Sequence, residues 1–341
     1  MATMKDVAKL AGVSVATVSA TISGRDYVSP ELQERVSAAI TKLSYRPNVV
    51  ASNLKKGRTS LIGLIVPDIT NPFYSDLTAE FQRCARADKL TAILGISDQD
   101  PSREIELIEY VAGQHAEALV VGSCGYKGES IGALRNAAAH LNLVFIDSIP
   151  EGIQADRIES DNFLAGRLAT DHILSFGHRR IAVVTGPSGA RSSDERLRGY
   201  HTSMRDAGIA PSSALQLDGG FRIEQAYEAT LSLLDLSSRP TAIFVCNNLM
   251  LIGVMRALAD RGLRVPEDIS IVNVDDFPWA SAFRPAMTTV RQQTTEIARA
   301  AYQSAKSRME GRPGEPIHSV FKPELVERAS CARPAAKTRK P

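Results

Sequence analysis

Residues 4–23 read MKDVAKLAGVSVATVSATIS, which has the form of two short helices joined by the turn Ala11-Gly12-Val13-Ser14. Thr3 can cap the first helix. Asp6, three residues on, completes a variant of the capping box and puts a negative charge in the first turn. Ala8 sits where a second helix would cross, and its small side chain lets two backbones approach. Gly12 supplies the positive φ that such a turn needs. Ser14 can cap the second helix by accepting a backbone N–H, and Val18 and Ile22, four apart, give that helix a buried face. Ala8, Gly12 and Val18 stand in the relative positions of a helix-turn-helix, whose second helix enters the DNA major groove. An ordinary helical hairpin would share so short a pattern, so the residues that follow must decide.

Ser29-Pro30-Glu31 has the form of N-cap, N1 proline and first-turn acid of a third helix. Leu32, Val36, Ala39, Ile40 and Leu43 form its apolar stripe. Tyr45-Arg46-Pro47-Asn48 ends it, and Val49–Lys56 can make one more short helix before Gly57. Beyond Ser60 the pattern changes. Leu61–Pro67, LIGLIVP, is an apolar run of the buried-strand type. Helices predicted over 72–88, 101–115, 130–140, 162–176, 194–207, 223–234 and 249–261 then alternate with strands near 91–97, 118–122, 143–147, 181–185, 215–217, 242–246 and 269–274. Such alternation implies parallel sheets built from βαβ units, and two successive sets imply two lobes of similar design. A ligand then belongs at the carboxyl ends of the strands. The residues after Ser330, CARPAAKTRKP, have no apolar periodicity and are expected to fray.

The totals agree with this division. A chain of 341 residues suits a small domain plus one or two larger ones, and 44% apolar with 23% charged residues describes a globular protein. No uncharged apolar run reaches about 18 residues, and no charged-then-apolar signal sequence precedes the first helix, so a cytoplasmic protein is expected. Cys84, Cys124, Cys246 and Cys331 are widely spaced, mostly in apolar runs, which suits reduced thiols. The net charge of +2 is unevenly shared, because residues 1–60 hold nine Lys/Arg against four Asp/Glu. A basic head on a slightly acidic body fits a polyanion bound at the head.

Taken together, KDVAKLAGVSVATVS (5–19), VSPELQERV (28–36), LSYRPNVVASNLKKGRTSLIGLIVPDITNPFY (43–74), SDNFLAGRLA (160–169), RLRGY (196–200), FVCNN (244–248) and VNVDDF (272–277) resemble the lac/galactose repressor (LacI/GalR) family of transcription regulators. The resemblance spans residues 3–330. It implies an all-α helix-turn-helix domain over 1–47 and a hinge helix and linker over 48–60. An α/β bilobed domain like the periplasmic sugar-binding proteins, with two parallel sheets, would follow over 61–330 and bind effector and dimerise, leaving a disordered basic tail at 331–341. It implies a homodimer on a near-palindromic operator in double-stranded DNA, and a small-molecule effector. No leucine heptad follows at the C-terminus, so a tetramer is not expected, and neither is a cofactor or a metal.

Val15, Ala16 and Ala20 match the family's base-contacting positions, but all three are apolar and offer methyl contact rather than hydrogen bonds. Ser14, Thr17, Ser19, Arg25 and Tyr45 suit phosphate contacts. Residues Asn48–Lys56 match the hinge helix. Asn48 and Lys55 would lie on DNA there, and Leu54 stands where the family wedges a leucine into the minor groove. A helix of about nine residues is marginal alone and needs such a partner to form. In the cleft, Phe73 and Tyr74 can stack on a sugar ring, Arg196 matches the arginine that holds polar groups of the effector, and Asn247 and Asp275 match positions that pair with hydroxyls. Asp147, Ser192 and Phe221 also fall on cleft positions. This set suits a polyol-like solute. Asn248 replaces a common acid and Arg191 adds a cation, which extends the expectation to a sugar acid.

An enzyme is one alternative, but no phosphate loop, nucleophile elbow or zincin motif occurs. His115, His140, His172, His178, His201 and His318 have no metal-ligand spacing, and His178 suits a turn better than catalysis. A sugar-binding transport protein is another, opposed by the basic helix-turn-helix. A corepressor-dependent regulator sensing a nucleobase is a third.

Overall fold

The structure, a computed structural model, describes residues 2–24, 27–45, 59–125, 128–147 and 152–334. It forms two compact units, Met1–Thr59 and Ser60–Pro341. The first contains α1 (Met4–Ala11), α2 (Val15–Ser23) and α3 (Pro30–Lys42). The capping box closes as the spacing predicts: Thr3 Oγ1 accepts from Asp6 N, and the Asp6 carboxylate accepts from Thr3 N at 2.8 Å. Gly12 has φ 63°, and Ser14 Oγ accepts from Thr17 N at 3.0 Å. Val7, Ala8, Ala11, Val18, Val36, Ala39 and Tyr45 make the core, with Ile22 packed at its edge.

Two local features differ from expectation. Ser29 occupies the N-cap of α3 but makes no side-chain cap bond, since Pro30 at N1 already removes one orphan donor. The turn also has a second support. Arg35 on α3 donates from Nε (3.1 Å) and Nη2 (2.6 Å) to the Ala11 carbonyl, and from Nη2 to Gly12 O at 3.2 Å. These bonds satisfy carbonyls that the end of α1 leaves open.

The second unit holds two six-stranded sheets. Its first half runs β1 (Leu61–Val66), α4 (Pro72–Ala87), β2 (Thr91–Ile96), α5 (Pro101–Gly113), β3 (Ala118–Val121), α6 (Ile131–Ala138), β4 (Asn142–Ile146) and β5 (Asp156–Ser160). Its second half runs α7 (Asn162–Ser175), β6 (Ile181–Thr185), α8 (Arg191–Asp206), β7 (Gln216–Asp218), α9 (Ile223–Leu234), β8 (Ala242–Val245), α10 (Asn248–Asp260), β9 (Ser270–Val274) and β10 (Thr288–Arg291). Last come α11 (Thr294–Met309), β11 (His318–Phe321) and β12 (Glu324–Val326). The sheet orders are β11-β5-β4-β3-β1-β2 and β12-β10-β9-β8-β6-β7. Every pairing is parallel except β10 with β12.

The two lobes are therefore not simply successive. The chain leaves the first sheet after β5, returns to it through α11 and β11, and leaves again for β12. Strand β5 (DRIES) escapes a hydropathy reading because its buried charges are paired: Asp156 holds Arg308 at 2.7 Å, and Glu159 contacts Arg157, Arg191 and His318. The expected fraying does not begin at Cys331 either. Ser330 Oγ donates to Ile271 O at 2.6 Å, Ala332 N donates to Ser270 Oγ at 3.0 Å, and buried His178 reaches Ala332 O through Nε2 at 2.8 Å. His178 is thus a structural clip, and its burial pushes its pKa down.

Candidate functional site

On α2, Val15, Ala16 and Ser19 are exposed while Val18 is fully buried, so one face packs the helix and the other is offered outward. Thr17 and Ala20 lie between. Ser14 and Thr17 hydroxyls pair at 2.9 Å, which makes the N-terminal end of α2 a rigid polar edge. Tyr45 corrects the surface reading. It is 9% exposed and belongs to the domain core, because α3 ends in a turn whose Tyr45 N–H returns to Ile40 O at 3.0 Å. Tyr27, passed over in the sequence, is 92% exposed beside the motif; a lone aromatic in a loop gave no periodic signal. Arg25, Asn48, Leu54 and Lys55, and with them the expected hinge helix, lie outside the described residues.

In the larger unit, a cavity of about 600 Å³, counted out to its open mouth, lies between the carboxyl ends of the two sheets. Phe73, Tyr74, Asp147, Ser192, Arg196, Phe221, Asn247 and Asp275 all line it, as the sequence led us to expect. Helix starts account for several of these placements. Asn71 caps α4 through Oδ1 to Phe73 N (2.9 Å), presenting Phe73 and Tyr74 at the mouth. Asn247 caps α10 through Oδ1 to Met250 N (2.8 Å), which leaves its amide N–H₂ as the group free to serve a ligand. Helix α8 begins at Arg191, earlier than predicted, so Arg191 and Ser192 stand in its first turn.

Arg196 is 4% exposed and donates from Nε to Asn162 Oδ1 (2.9 Å) and from Nη1 to Cys246 O (2.5 Å). Two carboxylates face it. Burial pushes Asp147 up to about 6, with Arg196 opposing and Glu159 and Asp275 adding to the rise. Asp275 is also raised by burial, against the pull of Arg196 and of a hydrogen bond from Gln292 Nε2 at 2.5 Å. Asp147, Phe221 and Asp275 all hold left-handed φ, at 67°, 56° and 77°. Non-glycine residues adopt that conformation at a cost, and it concentrates where a site fixes side-chain direction. Two residues that line the cavity each carry a buried acceptor with no partner, Asp147 Oδ1 and Gln292 Oε1. Gln292 was missed because β10, which delivers it, was not read from the sequence. Among the described residues no cluster of ligating side chains could hold a metal, and no helix is long and apolar enough to cross a membrane.

Residues 3–48 match the sequence model for bacterial regulatory proteins of the lacI family, and residues 170–331 that for a periplasmic binding protein-like domain. The chain is 32% identical over 330 residues to the HTH-type transcriptional repressor PurR of Vibrio atlanticus (strain LGP32), covering 97% of this chain and 98% of that one. It is 32% identical to the ribose operon repressor of Escherichia coli (strain K12), over 97% and 100%. Among solved structures, the lac repressor dimer bound to operator and the anti-inducer ONPF has a TM-score of 0.86 at 26% identity, over 97% and 99%. The transcriptional regulator CelR–cellobiose complex has 0.73 at 31%, over 97% and 100%.

A helix-turn-helix unit and a two-sheet unit with a ligand cleft, carried on one chain, define a DNA-binding transcription regulator controlled by a small molecule, not an enzyme. This chain belongs to the LacI family of bacterial regulatory proteins.

Proposed function

We propose that this regulator is a cytoplasmic homodimeric repressor whose cleft binds a neutral, hydroxyl-rich sugar as inducer. The observation that carries the effector class is the pair of buried, unpartnered acceptors, Asp147 Oδ1 and Gln292 Oε1. Each needs a donor, and sugar hydroxyls supply donors in several directions, while Tyr74 and Phe221 meet an apolar ring face. A sugar acid is less well served. Its carboxylate would meet Asp147 and Asp275, and Arg196 has already given its Nε–H and an Nη1–H to the protein.

On the DNA side, Val15, Ala16 and Ala20 would touch bases, and Ser14, Thr17, Ser19, Arg25 and Tyr27 phosphates. Asn48 and Lys55 would follow the backbone into the minor groove beside a Leu54 wedge. The surface that supports self-association is apolar: Trp279 is 53% and Ile252 48% exposed, next to Met255, Phe277 and Phe283. An isologous contact through such a patch gives the two-fold symmetry a palindromic site needs. Ligand would then act by preferring one lobe arrangement over the other.

A thermal-shift screen of the full chain against neutral sugars, sugar acids and nucleobases tests the reading, because a ligand of the folded state raises the melting temperature. A neutral sugar that raises it and also releases operator DNA supports the proposal. A response only to hypoxanthine or guanine, with tighter operator binding, would replace it with the corepressor mechanism.

A further inference from the structure

Glu104, on α5, is fully buried and has no ion pair among the described residues. Burying a carboxylate is costly unless its oxygens are well used, and both are spent on the loop after β3. Oε1 accepts the Ser123 hydroxyl at 2.7 Å, and Oε2 accepts Cys124 N at 2.5 Å. Ser123 lines the cleft at 7% exposure; Glu104 stands behind the cleft wall and does not line it. A serine hydroxyl has one proton and two lone pairs. Here the proton goes to Glu104, and one lone pair accepts from Gly125 N at 3.2 Å. What remains for the cleft is a lone pair. Ser123 therefore joins Asp147 Oδ1 and Gln292 Oε1 as an acceptor in the same cavity.

We infer that Glu104 is a positioning residue that fixes the hydrogen-bond polarity of Ser123, so that the effector must present a donor there. The effector class in this statement rests on the sugar reading above; the orientation of the hydroxyl does not. Replacing Glu104 by Gln changes the bookkeeping of protons without changing shape. The amide oxygen can keep Cys124 N–H, the amide N–H donates to Ser123, and the Ser123 proton is freed to point into the cleft.

Neutron diffraction from the perdeuterated, ligand-free full chain locates that proton directly. A deuteron on the Ser123–Glu104 line is expected, and one directed into the cavity overturns the inference whatever the ligand. Calorimetric titration with D-ribose, D-glucose and cellobiose, then with monodeoxy and monofluoro analogues of whichever binds, gives the functional arm. In the wild type, fluorine at one hydroxyl position should weaken binding about tenfold and do no better than deoxygenation, because fluorine cannot donate. Glu104→Gln should bind that fluoro analogue better than the deoxy one, and Ser123→Ala should erase the discrimination at that position. An unchanged ratio of fluoro to parent affinity in Glu104→Gln would refute the inference. Should the Gln variant not fold, the wild-type deuteron position and Ser123→Ala decide it. Binding of hypoxanthine and none of the sugars would reject the sugar reading alone, leaving the deuteron to judge Glu104.

Discussion

A Cβ placed on Gly166 would lie 2.1 Å from the carbonyl oxygen of Arg196. Helices α7 and α8 cross through that contact and through a reciprocal one at Gly199, where a Cβ would meet Phe163 O at 2.4 Å. The arginine that faces both cleft carboxylates is thus set by the absence of a side chain on the neighbouring helix. Gly166→Ala should destabilise the larger unit by about 1–3 kcal/mol through overpacking and displace Arg196. Effector affinity, measured by calorimetry, should fall while operator binding at low temperature persists. Unchanged affinity would show that α8 yields without moving Arg196.

One contribution to the pH response should come from Asp147. Its folded value, about 6, lies above the ordinary 3.8, so the native state binds the proton more readily than the unfolded chain. The Asp147 contribution to the stability of the ligand-free protein should therefore rise as pH falls from about 6 towards 3.8, with Asp275 adding in the same direction. Buried His172 and His178, both lowered below 6.5, oppose it, so the difference between wild type and Asp147→Asn isolates the aspartate. Below that window the ion-paired Asp156 and Asp276, both lowered, lose their contributions and stability should drop. If a ligand hydroxyl donates to the ionised Asp147, as proposed, sugar affinity should weaken below pH about 6. Melting curves and titrations between pH 4 and 7.5 (on the order of two units either side of the transition) check both, and Asp147→Asn should flatten the affinity profile.

In the helix-turn-helix, Arg35→Leu should leave the Ala11 and Gly12 carbonyls without their cross-helix donors and cost about 1–3 kcal/mol of small-domain stability. Operator affinity should fall with effector binding intact. Calorimetric scanning that shows an unshifted small-domain transition would mean water replaces the guanidinium.

Trp279→Glu places a charge in the apolar patch. If that patch is the self-association surface, sedimentation should show the dimer weakened by at least about tenfold, as expected for a buried aromatic anchor. A variant that remains fully dimeric would move the interface elsewhere.

If Leu54 wedges into the minor groove as proposed, Leu54→Ala should reduce operator affinity on the order of tenfold. Fluorescence anisotropy with labelled operator reads this, and equal affinity for both proteins would dismiss the wedge.

The parts of this molecule that were legible in its sequence are those where one local rule suffices. Thr3, Gly12 and Ser14 announce their helix ends because capping chemistry acts within three residues, and LIGLIVP announces β1 because a strand covered on both faces must be apolar throughout. Phe73, Tyr74, Arg196, Asn247 and Asp275 were reachable because they lie in family motifs. What stayed hidden depends on distant partners. Strand β5 is polar until its charges find Arg308, Arg191 and His318, and Gln292 matters only because β10 lies beside β9. Arg35 looks like any surface arginine until α3 sets it against the end of α1. Tyr45 looked like a phosphate contact, but its burial is decided by how the turn after α3 folds back.

The return of α11 and β11 to the first sheet has a practical consequence for dissecting the molecule. Neither lobe corresponds to an uninterrupted stretch of gene. A truncation after β5 would strip the first sheet of its edge strand β11 and of the helix whose Tyr302 packs against Phe81 at 5.5 Å. A protease nick at the junction near Asp161 would leave the halves joined by the two later passages of the chain. The lobes can be swapped between relatives only as three-piece exchanges, and single-breakpoint chimaeras should aggregate rather than report on specificity.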